Sequence, residues 1–129
     1  MDKLLWIDME MTGLEVSKER VIEVAAIVTD ENLQNIGQMS TAVFQEQTFI
    51  DNMDEWNTNQ HNKTGLVGLI PKAPKQDVVE QQLCEFVDKH FSDKPVLAGN
   101  SIGQDRKFID AYMPKLASKL HYRLLDVTA

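Results

Sequence analysis

The segment LLWIDMEMTGL, residues 4–14, constrains the fold of this chain most, because it places two acids within an otherwise apolar strand. Side chains alternate across a strand at ~3.3 Å per residue, so Asp8 and Glu10 share one face, with their carboxylates within ~7 Å of each other. Like charges at that separation repel, and each costs desolvation free energy on a core strand. A divalent cation between them removes both penalties, so metal binding is the first hypothesis.

An ordinary structural explanation for Asp8 and Glu10 is an exposed edge strand whose acids face water. The apolar residues Trp6 and Ile7 favour a strand inside a sheet instead, and Gly13 provides a turn just beyond the acids. Because carboxylates are rarely buried without a partner, we favour the functional interpretation.

The size and composition of the chain predict one globular domain over residues 1–129. No apolar run approaches the ~20 residues that a membrane span needs, and no signal peptide precedes the first strand, so we expect a cytoplasmic protein. The single cysteine, Cys84, excludes an internal disulfide. The net charge of −7 disfavours extensive binding to duplex DNA but allows a short anionic substrate.

Hydrophobic periodicity predicts the element order β-β-β-α-α-β-α-β, which is typical of an α/β fold with a mixed sheet flanked by helices. The predicted strands lie near residues 3–9, 20–29, 36–44, 95–99 and 122–127. The predicted helices span residues 55–65, residues 77–91, and a segment capped by Asn100 or Ser101 that ends at Tyr112. Residues 45–54 are polar and ambiguous.

A second informative segment is GNSIGQDRKF, residues 99–108, where a strand end, small polar residues and a helix start follow one another. Backbone N–H groups at a helix N-terminus attract phosphate or carboxylate, and Ser101 and Gln104 add side-chain hydrogen bonds. Asp105 lies in the first helical turn. Taken alone, an ordinary capped helix whose Asp105 favours the macrodipole explains this segment better.

The two segments together predict more than either one does. Strand ends in an open α/β sheet meet at a common crevice, so Asp105 could join Asp8 and Glu10 as a third oxygen ligand. An all-carboxylate site suits Mg²⁺ or Mn²⁺ rather than zinc. Two such ions ~4 Å apart activate a water and stabilise the leaving oxygen in phosphodiester hydrolysis.

The chain also resembles a known family. Residues 6–14 resemble the first motif of the DEDD exonuclease superfamily in its oligoribonuclease form, and residues 99–106 resemble the second motif. Residues 54–57 with His61, and residues 121–127, match the same pattern. The resemblance implies a ribonuclease H-like fold and a homodimeric 3′→5′ exoribonuclease that uses two divalent metal ions. It also implies a substrate of very short RNA, dinucleotides above all, degraded to mononucleotides.

The resemblance further implies a role for each site residue. Asp8, Glu10 and Asp105 are implied as the catalytic metal ligands. The implied substrate contacts are Leu14 between the two bases, Trp56 and His61 in the pocket, Ser101 and Gln104 at the 5′ phosphate, and Tyr122 and Arg123 reaching across from the other subunit. Without the resemblance, each of these substrate residues has an ordinary structural explanation, such as a core position for Trp56.

The superfamily also has a third motif, in which a C-terminal helix carries a histidine general base followed five residues later by a fourth acidic ligand. His61, His90 and His121 all lie in segments that match other parts of the family, and Asp126 lies on a predicted strand. We therefore expect an incomplete exonuclease domain whose C-terminal helices are missing and which alone is inactive or weakly active. We also expect its sheet to expose apolar surface.

Two alternatives remain open. One is a related DEDD exonuclease acting on longer DNA or RNA, although the segment of Trp56 and His61 and the pair Tyr122 and Arg123 disfavour it. The other is a catalytically dead module that binds a dinucleotide or oligonucleotide, which the lack of a third motif favours for this chain.

Overall fold

A computed structural model describes residues 3–128 of the chain, which form one five-stranded sheet in the spatial order β3-β2-β1-β4-β5. The strands are Leu4–Met11 (β1), Val21–Thr29 (β2), Asn35–Ala42 (β3), Leu97–Gly99 (β4) and Leu124–Asp126 (β5). β1, β2 and β3 are antiparallel neighbours, whereas β4 is parallel to β1 and β5 is parallel to β4. The predicted mixed sheet is confirmed.

The described residues also contain helices of two kinds, long and single-turn. The helices are Gln47–Asp51 (α1), Glu55–Lys63 (α2), Leu66–Leu69 (α3), Gln76–His90 (α4), Ile102–Tyr112 (α5) and Pro114–Ala117 (α6), with a 3-10 turn at Ile70–Lys72. The predictions for α2, α4 and α5 are confirmed within about two residues. The short helices were missed because four or five residues cannot display helical periodicity. Within the described residues, no helix has the length and apolar character needed to cross a membrane.

The helix ends follow the predicted signals in one case and depart from them in another. Gly65 adopts a φ of 81° just beyond α2, a conformation that suits glycine. At the start of α5, Ser101 makes no side-chain capping bond and has a φ of 51°. The prediction named Asn100 or Ser101 as the cap. Ser101 is the N-cap residue, but its side chain does not cap the helix, because its backbone is left-handed rather than extended.

The two faces of β1 lie in different environments. Leu5, Ile7 and Met9 belong to the main core, which includes residues of α4, α5 and α6. Trp6 is half-buried on the opposite face, where Asp8 is exposed. A second, smaller cluster joins the start of β2 to residues 50–70: Ile22, Ile50, Met53, Leu66 and Ile70.

Gly99 allows β4 to end close against β1. A Cβ atom at this position would lie 2.8 Å from the backbone oxygen of Ile7, so a larger residue would push the strands apart. β4 pairs with β1 only at Leu5 and Trp6. The chain then turns into α5 beside the remaining length of β1.

Candidate active site

Asp105 takes the place of a strand partner where β4 has ended. Every second amide of a strand points to the same neighbouring strand. On the side of β1 that faces β4, the Leu5 amide donates to the Val96 oxygen at 3.2 Å. Four residues further along β1, the Met9 amide donates instead to Oδ2 of Asp105 at 2.9 Å. Asp105 is only 5% exposed. Its carboxylate is therefore fixed against the β1 backbone at the residue between Asp8 and Glu10.

The three acids of β1 and α5 interact electrostatically. Burial raises the pKa of Asp105 to about 6; its hydrogen bond from Met9 opposes that rise, and the charges of Asp8 and Glu10 add to it. Partial burial also raises the pKa of Glu10, with smaller contributions from Asp8 and Glu23 and an opposing one from His61. The charges of Asp8 and Glu10 therefore add to the free-energy cost of ionising Asp105, and a bound cation would reduce that cost.

His61 and Glu23 complete the surroundings of Glu10. His61 is 2% exposed, and its Nε2 lies 3.0 Å from the backbone oxygen of Met11, so the ring is held against the end of β1. Glu23 on β2 pairs directly with Glu10, an arrangement that destabilises an antiparallel sheet unless something compensates. Glu23 was not among the predicted site residues, although it is the single acid in the apolar run of residues 21–28. A cavity of about 110 Å³ is lined by Glu10, Glu23, Gln60, His61, Thr64, Leu66 and Leu69.

Two observations on the acids concern the predicted metal site, one against a coordination shell and one in favour of a divalent cation. Within residues 3–128, no three His, Cys, Asp or Glu side chains are gathered closely enough to form a coordination shell. The donors nevertheless fit a hard divalent cation, which prefers carboxylate oxygens, and their mutual repulsion is what such a cation relieves. Metal coordination by Asp8, Glu10 and Asp105 thus stays a prediction.

The two large apolar side chains predicted to contact bases both point into solvent. Leu14, in the loop after β1, is 77% exposed, and Trp56 on α2 is 69% exposed. The alternative explanation of Trp56 as a core anchor is therefore wrong. Gln104 donates from Nε2 to the Leu14 oxygen at 2.6 Å, so it joins α5 to the loop. Its predicted contact with a 5′ phosphate stays a prediction.

At the start of α5, a network from the end of β5 surrounds Ser101. The Ser101 amide lies 2.8 Å from Oγ1 of Thr128 and 3.2 Å from Oδ1 of Asp126. The Thr128 hydroxyl lies 2.5 Å from Oδ1 of Asp126 and 2.7 Å from Oδ1 of Asn100, and its single proton can be donated to one of them at a time. Hydrogen bonds from Thr128 lower the pKa of Asp126. The sequence offered no local signal for this network, because the parallel pairing of β4 with β5 creates it.

Tyr122 and Arg123 lie just before β5 and contact each other. The Arg123 guanidinium lies 5.8 Å from the centre of the Tyr122 ring, which is 76% exposed, and the His121 ring stacks on Tyr122 at 4.5 Å. Their predicted reach into a second subunit stays a prediction.

Beside Asp8, the open face of the sheet forms a mainly apolar groove of about 360 Å³. It is lined by Trp6, Ile7, Asp8, Ala25, Ile27, Gly99, Asn100 and Val127. The acids of β1 therefore lie between this groove and the small polar cavity next to His61.

The chain is similar to known proteins in sequence and in fold. The chain matches the exonuclease family model over residues 5–129. It is 44% identical to an oligoribonuclease of Marinobacter nauticus over 98% of its own length and 72% of the relative's. It is 45% identical to oligoribonucleases of Neisseria meningitidis and Legionella pneumophila, again over 98% of its length and over 70% and 69% of theirs.

Solved structures confirm the predicted ribonuclease H-like fold. The nuclease domain of 3′hExo, a DEDDh family member bound to rAMP, superposes with a TM-score of 0.66 at 17% identity, covering 94% of this chain and 62% of that one. An exonuclease I from Methylocaldum szegediense superposes with a TM-score of 0.67 at 15% identity, covering 98% of this chain and 28% of that one. The solved structures share the fold, and the sequence matches show that the chain belongs to the exonuclease family, in its oligoribonuclease branch.

Proposed function

We propose that the protein degrades very short RNA, dinucleotides above all, to mononucleotides by metal-dependent hydrolysis of the phosphodiester bond. The observation that carries this proposal is the position of Asp105, whose carboxylate is fixed at Met9 between Asp8 and Glu10. In this proposal the carboxylates of these three acids supply the oxygen ligands that Mg²⁺ or Mn²⁺ prefers.

Asp8, Glu10 and Asp105 would hold two such ions. When bound, the ions supply an activated water and stabilise the negative charge on the leaving oxygen. The chain's own residues set the geometry, because the Met9 amide orients the Asp105 carboxylate and the Met11 oxygen orients the His61 ring. His61 thereby stays beside Glu10 and, in this proposal, forms part of the pocket wall.

The preference for two nucleotides rests on the exposed apolar side chains. Leu14 and Trp56 offer surfaces that a nucleobase can cover, and base stacking on an aromatic ring is worth about 1–3 kcal/mol. In this proposal Leu14 separates the two bases and Trp56 stacks on one of them. Ser101 and Gln104 bind the 5′ phosphate, which prevents a longer chain from extending.

We also propose that the protein acts as a homodimer. Tyr122 and Arg123 are exposed and contact each other, so together they offer an aromatic ring and a cation on one surface. In a dimer they would close the 5′ end of the partner's site. A cytoplasmic location agrees with Cys84, which is buried as a thiol.

The 129-residue chain alone is expected to hydrolyse RNA weakly. In this proposal none of its three histidines is the general base. His61 is held by Met11, and His90 lies at the end of α4. The His121 ring stacks on Tyr122 and accepts from the Arg123 amide. A general base typically contributes about 10²–10⁴-fold to the rate. Asp126 lies on β5 and not on a helix, which supports the expectation that it is not the fourth metal ligand.

The test compares a 5′-phosphorylated diribonucleotide, pApA, with a ten-residue RNA in Mn²⁺, measuring both binding and mononucleotide release. Tight binding of pApA, with faster release from it than from the longer RNA, would support the proposal. Faster release from the ten-residue RNA would contradict the dinucleotide preference. Binding of pApA with no release in any metal would favour the alternative of a binding module for this chain.

A further inference from the structure

The loop of residues 12–20 connects β1 to β2 and carries Leu14. Although it contains no helix or strand, its base is closed by two hydrogen bonds between its ends. The Thr12 amide donates to the Arg20 oxygen at 2.9 Å, and the Arg20 amide donates to Oγ1 of Thr12 at 2.9 Å. The loop therefore leaves and re-enters the sheet at a fixed separation.

The Arg20 side chain extends this closure to the rest of the loop. Its guanidinium lies between two aromatic rings, 4.3 Å from the centre of Phe49 and 4.5 Å from the centre of Tyr112. Its Nη1 donates to the Glu19 oxygen at 2.9 Å and to the Tyr112 hydroxyl at 2.6 Å. The same hydroxyl donates to the Val16 oxygen. Arg20 and Tyr112 thus hold both the base and the far side of the loop.

Helix α5 connects this clamp to the acids. Gln104 donates to the Leu14 oxygen, Asp105 accepts from the Met9 amide, and Tyr112 binds Val16 and Arg20. Three side chains of one rigid helix therefore hold the catalytic strand and the loop after it. The exposed Leu14 side chain is held at a set position relative to the acids.

We propose that Arg20 is a positioning residue that, through Tyr112, holds Leu14 ready to separate the two bases of a dinucleotide. The proposal rests on the proposed function above. Its physical basis is preorganisation, because a loop already in its bound conformation loses less conformational entropy when the substrate binds. The guanidinium of Arg20 contacts Glu19, Phe49 and Tyr112. In this proposal it therefore acts on the binding of a two-base ligand and not on the acids.

The test measures affinities of the 129-residue chain for pApA, AMP and Mn²⁺ in the variants Arg20→Lys and Tyr112→Phe. Tyr112→Phe keeps the ring against Arg20 and removes only the hydroxyl. We expect pApA to bind about 10-fold more weakly in both variants. Affinities for AMP, which has one base, and for Mn²⁺ should change less than about 2-fold. Lys18→Ala, an exposed change in the same loop, is the matched control and should alter none of these values.

A double-mutant cycle with Leu14→Ala decides whether Arg20 acts through Leu14. In the Leu14→Ala background, Tyr112→Phe and Arg20→Lys should have almost no further effect on pApA affinity. Additive losses, or equal losses for pApA and AMP, would overturn the inference. If Leu14→Ala itself leaves pApA affinity unchanged, the proposed function fails. If Leu14→Ala weakens binding but the Arg20 and Tyr112 variants do not, only the positioning role fails.

Discussion

The two faces of β1 differ in what they contribute, although their residues alternate along the same eight positions. On the closed face, Leu5, Ile7 and Met9 are buried in the main core. On the open face, Asp8 and Glu10 are exposed beside the groove and the small polar cavity. The side chains on the closed face of β1 therefore stabilise the fold, whereas those on the open face are available for binding and catalysis. Changes on the closed face should reduce folding, and changes on the open face should reduce binding and catalysis.

The strongest test of this separation is Ile7→Ala on the closed face. Ile7 is fully surrounded by core residues, so its truncation should lower the free energy of unfolding by about 2–5 kcal/mol. The same change at Ile27, which lies opposite Trp6 on the open face, is the matched control and should cost under about 1 kcal/mol. Urea denaturation measures both, and equal losses would show that the open face is covered in solution.

The corresponding change on the open face is Glu10→Gln. It keeps the shape of the side chain and removes one charge from the acid cluster, so hydrolysis of pApA should fall by about 10²–10³-fold and Mn²⁺ should bind more weakly. The thermal midpoint of the metal-free protein should not fall and should rise slightly at neutral pH, because the change removes a partly buried charge that Asp8 and Glu23 repel. Glu15→Gln, an exposed acid in the following loop, is the control. An unchanged Mn²⁺ affinity would remove Glu10 from the metal site.

Asp105 differs from the residues of both faces, because it is buried like a core residue but is predicted to bind metal together with Asp8 and Glu10. Its pKa is raised from 3.8 to about 6, so the folded state binds more protons than the unfolded state between these values. Stability of the metal-free protein should therefore fall as pH rises through this window. Asp105→Asn can still accept from Met9, so it should be more stable by up to about 3 kcal/mol above pH 6 and no different below about pH 4.

Thermal unfolding in a chelator across this pH range measures that difference. Asp110→Asn, at an exposed position of the same helix, is the matched control. A loss of stability in Asp105→Asn at pH 8 would mean that the carboxylate stabilises the metal-free fold.

The smallest effect is expected at Trp56. Trp56→Ala should weaken pApA binding by about 1–3 kcal/mol through lost base stacking, and Trp56→Phe should keep much of the affinity. Because the ring is exposed, the thermal midpoint should not change. Fluorescence titration of the Trp56 variants measures the affinity for pApA. A large loss of stability would instead indicate that Trp56 has a structural role.

Some of these features could be read from local sequence and others could not. Period-two alternation predicted that Asp8 and Glu10 share a face, and helical periodicity predicted α4 and α5. Asn100 or Ser101 was expected to cap α5. The Ser101 side chain makes no capping bond, and the pairing of β4 with β5 brings Thr128 and Asp126 to the Ser101 amide. The clamp on the loop was missed because Arg20, Phe49 and Tyr112 are far apart in sequence and carry no shared pattern.

The sequence by itself determined which residues of β1 face the core and which face the crevice, because alternation is a property of any extended strand. It also determined the family, through residues 6–14 and 99–106. Only the tertiary structure decided where Asp105 and Leu14 stand relative to the acids. Both positions depend on β4 ending at Gly99, which leaves the Met9 amide to Asp105 and lets α5 lie against the loop.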